Sequence, residues 1–350
     1  MSIFVGMDLG SKSIRFEVSN GMDLKGRKGG LSWKKEEWRK LFEEYSGQRT
    51  VVAFETGPES YRAKRILDEL EIESHPFHAQ SFLSVWKSKK KTDRIDASKI
   101  RRALQGGALP EKVHLPDDEQ ARLRNLISQR ELHQKMVLQL FQETVGLSRQ
   151  WGVGLPKYTR EKGEEWWKGA IEKFPKQGRA AVEWNYRIAL TVYQTMEELE
   201  NRIEEQVDRA GQRKGVLLLL SVPGIGKLIA PAVIAYLGDG KRFPCSRRFT
   251  SYVGLTPAVD QTGGREARLG HISKEGPSVL RRLFIQAARR ALKAKKMAGT
   301  RWKKWFDHLV KQRGKKIAIV ALARKLAEVC YAVIRDGVEF DPSRLRLTKA

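Results

Sequence analysis

Four carboxylates in three stretches of the chain have the types and settings for metal-assisted chemistry. Asp93 and Asp96 stand three apart in KSKKKTDRIDASKI, residues 87–100, among Lys87, Lys89, Lys90, Lys91, Arg94, Lys99, Arg101 and Arg102. That spacing sets both acids on one face of a helix, near its N-terminus, where negative charge is favoured. Asp8 closes the apolar run IFVGMD, and Glu55 closes VVAFE. Acids at strand ends can converge on a crevice at the edge of a sheet. Together the four suit a pair of divalent cations. Magnesium comes first and manganese is the alternative, because Mg2+ takes hard oxygen ligands and keeps several waters. Two such ions stabilise the attacking and leaving oxygens of a phosphoryl displacement. Either aspartate of 93 and 96 taken alone is better explained by ion pairing on a solvated helix. The combination with Asp8 and Glu55 favours the metal.

The elements that must position these acids follow from pattern. Residues 3–8 form a short β-rich run, 13–20 alternate apolar and polar like a strand, and a third strand fits between the glycine-rich turns of 21–30. SWKKEEWRKLFEEY has helical spacing, with Ser32 as the N-cap and Glu36 nearby. RTVVAFET is a buried strand, PESYRAKRILDEL a helix opened by proline, and IESHPF a short strand. Three strands, a helix, a strand, a helix and a strand predict a mixed sheet with helices against it, the α/β class. From residue 117 the pattern becomes helical. Long amphipathic helices cover about 117–150 and 180–210, joined by a Gly-, Trp- and Lys-rich connection with Trp151, Trp166 and Trp167. They read equally as a coiled-coil arm or as part of a packed bundle. Beyond 215 come a helix end, the turn VPGIG and another helix, then a loop-rich stretch over 243–276. The last two strong helices are PSVLRRLFIQAARRALKAKK and KKIAIVALARKLAEVCYAVIRDG, before a basic tail over 338–350. The domains expected are 1–112, 113–212 and 213–350.

The chain of 350 residues carries 67 Lys and Arg against 41 Asp and Glu, a formal charge of +26. That excess costs self-repulsion in the folded state, and a polyanion, nucleic acid first among them, is its natural partner. Cys245 and Cys330 are the only cysteines, far apart and outside any CxxC, which argues against a thiolate zinc site. MSIFVGMDLGS reads as no secretory signal, and GVLLLLSVPGIG is too short to span a bilayer. The expectation is a cytoplasmic, nucleoid-associated protein with no membrane partner.

VPGIG, with Gly224, Gly226 and then Lys227, also reads like a helix-hairpin-helix turn whose amides meet a phosphate. A plain glycine turn between packed helices is the alternative. Arg265, Arg268, Lys274, Arg281, Arg282, Arg289 and Arg290 are taken as phosphate contacts. Arg281 and Arg282 lie about two helical turns from Arg289 and Arg290, so the four can line one side. His271 is assigned no metal.

VGMDLGSKSIRFEV, VVAFETGPES and KTDRIDASKI resemble the D, E and D-x-x-D segments of the RuvC-like, RNase H-type nuclease domain. More narrowly they resemble the DEDD transposases of the insertion sequence 110 family, which includes the Piv/MooV-type invertases. LLLLSVPGIGKLIAPAVIAYLGDGKRF and SYVGLTPAVDQTGGREARLGHISKEGPSVLRRLFIQAARRA resemble the transposase domain of the same family. The resemblance covers roughly 1–110 and 215–295. It implies that Asp8, Glu55, Asp93 and Asp96 bind the metals. It also implies a homo-oligomer, dimer or tetramer, in which the nuclease site of one subunit meets the hydroxyl loop of another across the DNA. A structured bridge RNA selecting target and donor by base pairing is implied as well. In the family a serine followed by glycine attacks DNA and leaves a covalent link. Its place here falls on Thr262, a secondary hydroxyl on a stiff β-branched side chain. Three readings stand: Thr262 is the nucleophile, Ser251 or Ser273 replaces it, or strand transfer is lost. Set against a recombinase are a RuvC-like nuclease using water and a non-catalytic DNA-binding regulator. An ATP-using kinase or actin-like domain is disfavoured, because DLGSKS has no second glycine-rich phosphate loop to partner it.

Overall fold

A computed structural model describes residues 2–21, 23, 25–79, 81–82, 96–156, 163–260, 268–294 and 300–342. Two compact units divide the chain, Met1–Asp117 and Asp118–Ala350.

The first unit holds strands β1 (Ser2–Leu9), β2 (Ile14–Asn20) and β3 (Arg27–Leu31), helix α1 (Lys35–Glu43), strand β4 (Arg49–Glu55), helix α2 (Ser60–Glu69), strand β5 (Glu73–Phe77) and helix α3 (Ala97–Gln105). The sequence of elements is the one the pattern predicts. They form one mixed sheet in the order β3-β2-β1-β4-β5. β2 runs antiparallel to β1 and β3, while β4 runs parallel to β1 and β5. Strand alternation sorts the side chains. Ile3, Val5, Met7, Val52 and Phe54 pack on Trp38, Leu41 and Phe42 of α1 and on Ala63, Ile66 and Leu67 of α2. Ala53 and Phe77 meet Ile100 and Ala103 of α3 on the opposite face. Thr50 through Phe54 are all buried, as a parallel strand covered on both faces requires.

Two local features depart from expectation. α1 starts at Lys35, and its cap residue Lys34 makes no side-chain bond. Ser32 instead acts from outside the helix: its N–H and its hydroxyl donate to the Glu37 carboxylate, each at 2.7 Å. The partner is therefore Glu37 and not Glu36. Arg101 departs further. The sequence groups it with solvent-facing cations, but it is 1% exposed. Its Nε and Nη2 donate to Glu17 Oε1 at 3.0 and 2.7 Å, and Ser98 also donates to Glu17. Burial raises the Glu17 carboxyl, but bonds from Ser98 and Arg101, with the charges of Arg101 and Lys28, outweigh it and hold the acid below its ordinary value.

The second unit is mainly helical: α4 (Asp118–Gln150), α5 (Gly163–Lys173), α6 (Lys176–Arg209), α7 (Arg213–Leu220), α8 (Ile229–Leu237), α9 (Ser246–Tyr252), β6 (Pro257–Asp260), β7 (Arg268–Ile272), α10 (Ser278–Ala291), α11 (Arg301–Arg313) and α12 (Lys315–Asp336). α4 and α6 are the two long helices expected. Near their N- and C-termini respectively, Leu123, Ile127, Ile203 and Val207 join the large core built with α7 to α12. Their other ends are closed by α5, where Trp166, Trp167, Ala170 and Phe174 pack on Val182, Ala189, Leu140 and Phe141. The pair thus packs into the large core at one end and against α5 at the other. Several elements were missed in the sequence. α5 lies inside the supposed connection, α9 and the antiparallel β6–β7 pair lie inside the supposed loop, and α11 stands between the last two strong helices. No helix of the described residues is long and apolar enough to cross a membrane.

Candidate functional site

Pairing of β1 with β4 brings the first two acids together. Met7 stands in register with Phe54, so Asp8 and Glu55 follow side by side on adjacent parallel strands. Met7 and Phe54 face α1 and α2. Alternation therefore turns Asp8 and Glu55 to the other face, the one that carries α3. Asp8 is exposed and Glu55 half-buried. Burial, and then the Asp8 charge, raise the Glu55 carboxyl above its ordinary value, with His78 opposing them. Beside Glu55, the Thr56 hydroxyl is buried without a hydrogen-bond partner among the described residues.

Gly6 sets the approach of the third acid. A Cβ there would run into the Ala97 carbonyl and the Arg101 amide, and would stand 3.0 Å from Arg101 Cα. The first turn of α3 therefore sits directly on β1, two residues before Asp8. Asp96 is the N-cap of that helix, and its Oδ1 accepts the Lys99 N–H at 2.8 Å. The cap ties Asp96 to helix stability. Asp96→Ala is expected to cost about 1 kcal/mol, and Asp96→Ser far less, in chemical denaturation. Asp93 lies outside the described residues, as do Lys87, Lys89, Lys90, Lys91 and Arg94. Among the described residues no group of three or more His, Cys, Asp or Glu side chains could hold a metal ion.

In the second unit, residues 221–228 form the turn between α7 and α8. Gly224 has φ +85°, and a Cβ there would strike Ala287 O and stand 2.9 Å from the Ala291 amide of α10. Its glycine is thus required by backbone conformation and by packing. Ile225 N–H bonds Val222 O, and Ile229 and Ala230 N–H bond Gly226 O; these turn bonds use neither the Gly226 nor the Lys227 amide. Lys227 is exposed, with its Nζ 3.9 Å from Glu204.

The basic residues of α10 divide. Arg289 and Arg290 are exposed. Arg281 instead donates to Val253 O and Glu275 O at 3.1 and 3.0 Å, fastening the chain on either side of the β6–β7 pair to the helix. Arg282 Nε and Nη2 lie 3.0 and 2.7 Å from Oε2 of Glu131, a buried residue of α4 that also pairs with Arg130. Both guanidiniums have intramolecular partners. Thr262 and Arg265 lie outside the described residues, between Asp260 and Arg268, which pair across the two strands. Lys274 is exposed at φ +57°, and His271 and Ser251 are exposed. The Ser273 hydroxyl is buried and has no hydrogen-bond partner among the described residues.

Comparison with known proteins bears on this second unit first. The family described as Transposase IS116/IS110/IS902 matches residues 216–303, from within α7 to the start of α11. A probable family 20 transposase of Pseudomonas aeruginosa is 35% identical over 43% of this chain and 44% of its own length. The transposase for insertion sequence element IS1328 of Yersinia enterocolitica is 27% identical over 83% of this chain and 85% of its own. A pilin gene-inverting protein of Moraxella lacunata is 33% identical over 35% and 38%. The chain thus spans under half of two of these curated relatives and most of the third. The class they define is that of insertion-sequence transposases and gene-inverting proteins. Within it, the chain belongs to the IS116/IS110/IS902 transposase family.

Proposed function

We propose that the protein is a DNA recombinase of the DEDD type, which cuts and rejoins DNA at a metal-bound carboxylate site with a protein hydroxyl as nucleophile. The observation that carries this reading is the placing of Asp8 and Glu55 side by side at the ends of β1 and β4, with the Asp96-capped start of α3 packed over Gly6 on the same face. The strand order β3-β2-β1-β4-β5, with its first three strands antiparallel, supports an RNase H-like reading of that sheet. Like charges forced together on a partly buried edge are stabilised by a cation, and the donors present are hard carboxylate oxygens suited to Mg2+. Asp8 and Glu55 would hold such ions, with Asp96 and Asp93 completing the set. When bound, they supply charge stabilisation at a phosphoryl centre. Asp96 keeps α3 started over the site through its cap bond. Arg281 holds both flanks of the β6–β7 strand pair.

The net charge of +26 supports a nucleic-acid partner, and a structured guide RNA would supply sequence choice by pairing while the protein reads backbone and shape. Leu132, Trp184 and Ile188, apolar and exposed on α4 and α6, support assembly of several copies. Sequencing the nucleic acid that co-purifies with the protein supplies the substrate for the decisive test. The wild type is expected to leave a denaturation-resistant protein–DNA adduct in Mg2+. Thr262→Ala loses that adduct and Thr262→Ser keeps it. Metal-dependent cleavage without any adduct would assign the chain to the water-using nucleases. Binding without cleavage would make it a regulator.

A further inference from the structure

Around residue 303, where the family match ends, the chain enters a dense run of cations. Residues 301–316 carry seven Lys and Arg against one acid, Asp307. That acid is taken by Lys303, whose Nζ lies 2.6 Å from both of its oxygens. Arg301, Lys304, Lys311, Arg313, Lys315 and Lys316 are exposed, and none has a carboxylate partner among the described residues. Helical spacing puts Arg301, Lys304 and Lys311 on one side of α11 over about 15 Å, at 3.6 residues per turn and 1.5 Å per residue. Trp302 and Phe306 take the other side and are buried in the large core. Gly314 alone separates α11 from α12, at φ +83°. Its N–H bonds Val310 O at 2.9 Å, and its carbonyl accepts the Ala318 N–H at 3.1 Å. This turn holds the helix ends that carry Lys311 and Arg313, and Lys315 and Lys316, next to each other. Two of the charges sit where the fold gains nothing from them. Lys315 and Lys316 lie in the first turn of α12, at the positive end of its dipole, and no acid stands in that turn.

We infer that the corner formed by α11 and α12 is a docking surface for the sugar–phosphate backbone of duplex DNA, gripped without regard to sequence. A polyanion relieves the repulsion among these cations and between the two lysines and the helix start. The stripe is too long for one small anion and suits a run of phosphates, whose condensed counterions such cations displace. Backbone contacts of this kind set position on a duplex and carry no sequence information. A lipid surface fits less well, because a membrane-surface helix needs an apolar face. The apolar residues Trp302 and Phe306 of α11 are spent in the core, and exposed Ile317 by itself is no such face. The inference rests on the DNA-acting reading above, but on neither the metal site nor Thr262.

The test uses the full chain in EDTA, so that no metal or cleavage enters. Fluorescence anisotropy measures binding of two labelled DNA duplexes of unrelated sequence, and of an RNA duplex, across a salt series. Lys315→Gln with Lys316→Gln is expected to weaken binding to both DNA duplexes alike, roughly 10- to 100-fold near 0.1 M salt. The slope of log K against log salt should become shallower by about 1.8, and by about 0.9 for Lys304→Gln at the far end of the stripe. A charge-matched control, Lys173→Gln with Lys176→Gln, removes two exposed lysines at the turn between α5 and α6 and should leave the slope as it was. Thermal unfolding of the Lys315/Lys316 variant should come at the wild-type temperature or slightly above it, which a structural role for the lysines would not give. An unchanged slope, an equal loss in the control, a loss on one DNA sequence only, or a loss on RNA alone would overturn the proposal. A wild type that binds no DNA at all would take the DNA-acting reading down with it. DNA binding that ignores all three lysines would sink this surface only.

Discussion

Asp8→Ala and Glu55→Gln are each expected to lower metal-dependent DNA strand cleavage by about three orders of magnitude or more, while leaving the fold as stable as before or slightly more so. The first half follows from the proposed role. Removing one ligand from a shared metal site forfeits several kcal/mol of charge stabilisation in the transition state, and each ~1.4 kcal/mol is tenfold in rate. The second half follows from the electrostatics. Burial and Asp8 raise the Glu55 carboxyl, so its ionised form is disfavoured in the folded state. An acid shifted upward destabilises the fold at any pH where it is charged, and a neutral glutamine relieves that penalty. Acids kept at a structural cost behave this way when function retains them. The measurement is a pair: single-turnover cleavage of the co-purified substrate sequence in Mg2+, and thermal unfolding without metal. A Glu55→Gln protein that cleaves normally, or that unfolds many degrees early, would sink the assignment of a functional acid pair.

The opposite pattern is expected at Glu17 and Arg101. Arg101→Met leaves the Glu17 carboxylate, 3% exposed, without its principal cation. Breaking a buried pair from one side costs roughly 3–5 kcal/mol because the remaining charge is uncompensated. At ~4–8 °C per kcal/mol for a unit of this size, Tm should fall by more than about 10 °C. Replacing both partners, as Glu17→Gln with Arg101→Met, is expected to recover much of that loss. The pH dependence has a definite sign. Glu17 is held below its ordinary value, so its contribution is full above about pH 4.5 and is lost as pH falls through the folded-state value. Wild-type stability should therefore decline below pH 4.5, and the double variant should show less of that decline. Denaturant titrations across this range measure both effects. A single Arg101→Met variant as stable as wild type would show that the pair holds nothing together.

These two residues mark where the chain was readable and where it was not. Glu17 lies in the run SIRFEV at what proves an inward position, and Arg101 in a segment crowded with exposed cations. Nothing local tells a cation that will be buried from its neighbours in solvent, because burial is decided by which element lands on top. Arg281 and Arg282 repeat the point. Along the chain they are a basic pair on a helix, and only the fold brings Val253, Glu275 and Glu131 from other elements to bond them.

The amino-acid sequence by itself determined the order of elements in the first unit, the two long helices of the second, the basic excess and the acids at the strand ends. All of these are set by period, composition and turn residues, which act over a few neighbours along the chain. Tertiary structure alone decided that Asp8 and Glu55 become neighbours, since that needs β1 paired in parallel with β4 across some forty intervening residues. It alone revealed Gly6 as the seat of α3 and Gly224 as the seat of α10. Contacts between segments far apart in sequence depend on register and close approach in space, and a missing Cβ signals neither until the partner backbone is in place.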